Sequence, residues 1–196
     1  MTSSLDELRA RIIELEGHVE AELEARKAAL RYHIEQGRAI FDRETHAQHR
    51  ALRSRLFGYV FRSRLLVVLT APFIYALILP FVLLDLFISL YQAVCFPVYG
   101  IEKVRRADYI VIDRQALGYL NLVEKLNCIY CGYGNGLLSY AREIAARTEQ
   151  YWCPIKHSRR VKGAHDRQAG FIDFGDAEGW RDRLEEMRKA LAKADP

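Results

Sequence analysis

Charge is almost absent from the thirty-five residues between Leu65 and Tyr99, LLVVLTAPFIYALILPFVLLDLFISLYQAVCFPVY, where Asp85 stands alone. That scarcity excludes an ordinary water-facing segment and marks material suited to a bilayer. An unbroken helix of this length would reach about 52 Å against a hydrocarbon core of about 30 Å. The segment must tilt, break or turn back. No long apolar run precedes it, so no secretory signal is visible and the N-terminus is expected in the cytoplasm. Glycine-rich phosphate loops, a nucleophile elbow and an H-E-x-x-H string are also missing, which removes the best-marked routes to nucleotide, acyl-transfer and zinc-protease chemistry.

Positive charge gathers beside the apolar run. Residues 51–64 hold Arg53, Arg55, Arg62 and Arg64 with no acid, and Lys103, Arg105 and Arg106 follow the run. The positive-inside rule then favours both ends on the cytoplasmic side, with Arg53, Arg55, Arg62, Arg64, Arg105 and Arg106 against anionic headgroups. Pro80 near the centre and Pro72 and Pro97 near the ends supply break points, because proline lacks a helical donor and clashes with the preceding turn. A helical hairpin or re-entrant segment is expected; the alternative is one tilted, kinked span.

The soluble parts predict a mainly α protein. Residues 1–55 form an amphipathic, coiled-coil-like region in which Ser4 and Glu7 make a capping box. Leu8, Ile12, Leu15, Val19, Leu23, Leu30, Ile34 and Phe41 recur at helical spacing, so residues 4–50 read as one long helix or two in series. Such a stripe needs cover, either from a second copy of the chain or from the protein's own soluble part. The membrane region covers 56–100 and a cysteine-rich cytosolic domain 101–175. Within that domain residues 107–114 alternate as a strand or extended link, the glycines at 132, 134 and 136 mark a loop, and 137–152 form a helix stopping at Cys153-Pro154. A C-terminal amphipathic helix lies in 176–196. His46 and His49 are read as exposed polar helix residues.

Four cysteines remain to be placed, and a reducing cytosol disfavours disulfides for Cys128, Cys131 and Cys153. Cys128-Ile-Tyr-Cys131-Gly132-Tyr133 has the form of a metal knuckle, since two thiolates spaced by two residues grip one ion and glycine permits the turn. Cys153-Pro-Ile-Lys-His157 adds a thiolate and an imidazole, giving a set of three cysteines and one histidine suited to zinc. Cys95 competes with His157 as fourth ligand, and an all-cysteine set would admit zinc, iron or an iron–sulfur cluster. Thiol redox chemistry by Cys128 and Cys131 is a further reading. No βαβ pattern surrounds that pair, which weighs against a thioredoxin-like use.

Beyond the cysteines, Asp85 is a site candidate or a solvated turn residue. Arg142, Glu143, Arg147 and Glu149 form either a salt-bridged face or the lining of a site, with Glu143 or Glu149 as acid/base of an enzyme acting on a membrane-embedded or lipidic substrate. The basic run Lys156, Arg159, Arg160, Lys162 and Arg167 is expected to meet anionic headgroups. Nucleic-acid binding lacks the aromatic interleaving and strong domain charge it requires.

The knuckle resembles those of rubredoxins and zinc ribbons, although a ribbon would bring a second C-x-x-C. From Leu69 to Arg160 the strings LTAPFIYALILPFVLLDLF, CFPVYGI and EKLNCIYCGYGNGLLSYAREIAARTEQYWCPIKH resemble a family of small bacterial inner-membrane proteins with a C-x-x-C-G-Y... C-P-x-x-H motif. That resemblance implies a bacterial inner-membrane location and brings no activity. The function expected from the whole chain is a membrane-anchored metal-binding protein with a structural or redox centre. A membrane-associated enzyme and a zinc-stapled scaffold are the alternatives.

Overall fold

The computed structural model describes residues 4–30, 32–35, 38–53 and 65–192. The chain is mainly helical and divides into two compact units, one of Met1–Arg62 with Asp113–Leu126 and one of Ser63–Ile112 with Asn127–Pro196. Arg55, Arg62 and Arg64 lie outside the described residues.

In the first unit α1 (Ser4–Ala29) gives way to a hairpin of β1 (Tyr32–Glu35) and β2 (Arg38–Phe41), followed by α2 (Arg43–Ala51). The expected helix through residues 30–41 is therefore corrected to antiparallel strands. Tyr32 pairs with Phe41 and Glu35 with Arg38 in an antiparallel register. The aromatic ends hold this register, with the Tyr32 and Phe41 rings 5.3 Å apart. His49 is half-buried rather than exposed, set edge-on between Phe41 and Tyr119. The stripe of α1 at Ile12, Leu15, Val19 and Leu23 stays exposed.

The apolar run forms α3 (Leu65–Ala76) and α4 (Ile78–Tyr99), separated by Leu77 alone. Leu77 keeps right-handed helical dihedrals, φ −64° and ψ −12°, and its N–H donates to Ile74 O at 3.2 Å. One residue in that conformation cannot reverse a chain. The expected hairpin at Pro80 is thus corrected to a broken rod. Pro80 falls in the first turn of α4, where its missing N–H deprives no helical bond, so the helix restarts instead of turning back. Residues Val68–Tyr99 make one helix long and apolar enough to cross a membrane. At its far end Gly100 adopts a left-handed φ of 69° while Ile101 N–H returns to Phe96 O at 2.9 Å, a glycine stop.

After this stop the chain runs back along α4 before α5 (Leu122–Trp152) sets off parallel to it. The contacts climb both helices together. Tyr130 Oη donates to Ile74 O at 2.7 Å, Tyr133 Oη to Asp85 at 3.0 Å, Tyr91 meets Thr148 at 3.0 Å, and Tyr99 stacks on Tyr151 at 5.0 Å. Residues 101–112 descend between them, Val104 beside Gln92 and Arg106 beside Asp85. The strand or extended link expected over 107–114 is corrected to irregular chain: Arg106–Asp108 and Arg114–Ala116 are short 3-10 turns, Tyr109 is helical in its dihedrals, and the residues between form no strand.

The expected glycine loop is corrected to helix: Gly132, Gly134 and Gly136 sit inside α5, and at Gly134 and Gly136 neighbours approach too closely for a side chain. A Cβ at Gly136 would stand 2.5 Å from Tyr109 O, and one at Gly134 would stand 2.9 Å from the Phe81 ring. The core of this unit joins Phe96, Ile101, Val104, Leu137, Tyr140, Ile144 and Leu191. Leu191 follows α6 (Ala177–Lys189), whose N-cap Asp176 accepts from Gly179 N–H at 2.8 Å.

Candidate functional site

Asp85, Ser89 and Gln92 are spaced four and three along α4, so they share one face, and it is the face turned into the protein. Asp85 accepts from Arg106 through Nε at 3.1 Å and Nη2 at 2.6 Å, and from Tyr133 Oη at 3.0 Å. Ser89 Oγ lies 3.4 Å from Asp85 and 3.5 Å from Tyr140 Oη. Gln92 continues the chain, donating to Tyr140 Oη and to Val104 O while accepting from Val104 N–H at 2.9 Å. The opposite face of α4, with Leu79, Leu83, Leu86, Phe87, Leu90 and Val94, is exposed and wholly apolar. This is polar inside and apolar outside, the reverse of a water-facing helix. The arrangement neutralises the lone charge of the apolar run and pairs the Arg106 guanidinium, whose side chain stays half exposed. Arg105 faces Asp108 at 3.8 Å.

A second cluster lies on the upper half of α5. Glu143 accepts from Arg147 at 2.9 Å and from Arg167 at 2.7 Å, and Arg167 also donates to Gln150 Oε1 at 3.1 Å. Gln150 passes the network to Met187 O at 3.0 Å, tying the C-terminal helix to α5. Burial pushes the Glu143 carboxyl up, but the hydrogen bonds and charges of Arg167 and Arg147 outweigh it and hold the pKa below the usual glutamate value. An acid so held stays ionised and is a poor proton donor at neutral pH.

The depressed value also fixes a pH dependence. The unfolded chain takes up the Glu143 proton at a higher pH than the folded one, so this stabilisation is present above the ordinary glutamate pKa of about 4.3 and is lost as pH falls through the lower folded value. Denaturant titrations of the chain in detergent micelles are expected to show stability falling in that acidic window. Glu143→Gln should flatten this component, and an unchanged profile would mean the two arginines do not hold the carboxylate in solution.

The expected metal ligands are dispersed. Cys128 and Cys131 lie on α5, the first half-buried and the second exposed, with Cys131 O accepting from Asn135 at 2.9 Å. Cys153 follows the last residue of the same helix. At 1.5 Å per residue the helix holds Cys153 about 33 Å from Cys131, whereas ligands of one zinc lie within about 5 Å of each other. His157 lies beyond Cys153 in the following loop. Cys95 sits on α4 past Gln92, which is level with Tyr140, and so at least about 13 Å along the axis from Cys131. Gly132 continues a helix and does not make the tight turn expected of a knuckle. Among the described residues no group of three or more His, Cys, Asp or Glu is placed to hold a metal ion.

The basic run divides into paired and unpaired residues. Lys156 is engaged by Asp173 at 2.7 Å and Arg167 is turned inward to Glu143, while Arg159 and Arg160 have no hydrogen-bond or ion-pair partner among the described residues. They line a cavity of about 570 Å³ in the loop after α5. The loop is closed at its base, where Ile172 N–H donates to Pro154 O and Lys156 N–H to Ile172 O, each at 2.8 Å. Sequence reasoning reaches neither this cavity nor the buried polar chain as a site. The spacing of Asp85, Ser89 and Gln92 is the signal for the second. Comparison of the chain with family models, with curated proteins and with solved structures finds no match.

Proposed function

We propose that this protein is a monotopic membrane protein and scaffold, its α3–α4 rod lying in the plane of one leaflet and its α5 side presented to the cytoplasm. One observation carries the reading: residues 101–112 return along α4 with Glu102, Lys103, Arg105 and Asp108 exposed. If α4 crossed the bilayer, that irregular, charged segment would have to cross beside it. Lipid-facing irregular chain has no place in the hydrocarbon region, and each charge there costs about 2.5–3.5 kcal/mol or more. An in-plane rod avoids this cost.

The outer face of α4 then meets acyl chains, as an interfacial helix does, while Asp85, Ser89 and Gln92 face protein. α3 carries no charge and is submerged with it. Lying flat also removes the mismatch between a helix of about 52 Å and a core of about 30 Å. The arginines at 53, 55, 62 and 64 support the cytoplasmic leaflet of the inner membrane. The scaffold reading is favoured over an enzyme because Glu143 and Glu149 are both taken up in pairs, with Arg147 and Arg167 and with His165.

Topology labelling tests it. In a background with the four native cysteines replaced by serine, Arg53→Cys and Lys103→Cys flank the rod. A membrane-impermeant maleimide is expected to reach both in inverted vesicles and neither in intact spheroplasts. Labelling of the two positions from opposite faces would establish a span and overturn the in-plane reading.

A further inference from the structure

We propose that the loop cavity after α5 binds a phosphate-bearing small molecule drawn from the aqueous phase. The cavity is lined by Lys156, His157, Arg159, Arg160 and His165, with Asp166 the one acid on its wall. It is an open, polar depression of about 570 Å³, wide enough for a small molecule rather than a bare ion. Guanidinium groups match phosphate oxygens in pairs, and the two arginines here have no protein partner among the described residues. Lys156 is already held by Asp173, which leaves Arg159, Arg160 and His157 as the groups free to meet an anion.

The wall is anchored from behind. Arg142 Nη2 donates to Ala164 O at 2.5 Å, His165 Nε2 meets Glu149 Oε2 at 2.8 Å, and the His165 ring packs edge-on to Phe171 at 5.4 Å. His165 Nδ1 is buried with no hydrogen-bond partner. These contacts, with the bonds at Pro154, Lys156 and Ile172, fix the two ends of the loop that carries Arg159 and Arg160, which limits the ordering cost of binding.

Placement selects the source of the phosphate. The residues of α5 that meet α4 are Tyr133, Tyr140, Thr148 and Tyr151. At 3.6 residues per turn, Arg142 and Glu149 lie roughly 160–180° around the helix from Tyr133. The loop they hold is therefore on the side of α5 away from α4 and its apolar outer face. Resting on the in-plane reading above, this sets the cavity away from the membrane and assigns it a soluble ligand instead of a lipid headgroup.

Inorganic pyrophosphate, titrated calorimetrically into the full chain in detergent micelles, is the first probe. Saturable binding is expected, weakened by about tenfold or more in the Arg159→Gln/Arg160→Gln double variant. Arg105→Gln, which removes an exposed charge outside the cavity, should leave it unchanged. Vesicles of phosphatidylcholine and phosphatidic acid form the second arm, and the double variant is expected to bind them as the parent does. Absence of saturable pyrophosphate binding, or equal binding by the double variant, overturns the site. Vesicle binding that depends on the two arginines, without pyrophosphate binding, overturns the soluble ligand. The micelle titration does not depend on topology, so its failure is distinguishable from a failure of the in-plane reading.

Discussion

Replacing Gly136 with alanine is expected to destabilise the protein by about 3 kcal/mol, at the upper end of the range for overpacking, although alanine is the better helix former by about 1 kcal/mol. The added Cβ would stand 2.5 Å from Tyr109 O and 2.9 Å from Ile110 Cα, both backbone atoms that cannot rotate aside. Ordinary contact begins near 3.4 Å, so the returning chain must lift off α5. That movement pulls on Arg106, which binds Asp85, and on Val104, which holds Gln92. The same substitution at Gly17, where nothing lies within 4 Å, is expected to stabilise α1 by about 0.5–1 kcal/mol. Opposite signs for one chemical change, read by denaturant unfolding in micelles, isolate the close approach from helix propensity. A Gly136→Ala protein as stable as its parent would mean that residues 101–112 do not pack on α5.

This contrast explains which parts of the fold are legible in the sequence. Periodicity reveals α1 and the C-terminal helix, and the scarcity of charge reveals the apolar run, although not that it continues as a rod instead of turning back. The stop of α5 at Cys153-Pro154 is legible too. The glycines at 132, 134 and 136 mislead, since low helix propensity argues for a loop and only the distant partners Tyr109, Ile110 and Phe81 show why glycine is needed in a helix there. Pro80 misleads in the same way: a proline marks a break wherever it stands, but in a first turn it starts a helix. The hairpin at residues 32–41 is masked by isoleucine and phenylalanine positions that also fit a helical stripe. Of the candidate site, the separation of Cys128 and Cys131 from Cys153 turns on whether residues 132–152 are loop or helix. Spacing alone does not decide that.

The second large effect concerns Asp85 and Arg106. Substituting Arg106 by methionine leaves the Asp85 carboxylate mostly buried with only Tyr133 and Ser89 as donors, and removing one partner of a buried pair costs about 3–5 kcal/mol. The Arg106 side chain is 48% exposed, so solvent screens part of this and about 2 kcal/mol is expected in micelles. Asp85→Leu alone should cost less, because the freed guanidinium can turn to water. The Asp85→Leu/Arg106→Met double variant should recover most of the Arg106→Met loss, since neither charge then remains unpaired. The proposed in-plane placement sharpens this expectation: the pair lies on the protein side of α4, so lipid bilayers and micelles should give similar coupling. Strictly additive losses would show that the pair contributes nothing. Coupling far larger in bilayers than in micelles would place the pair within the hydrocarbon and argue for a crossing helix.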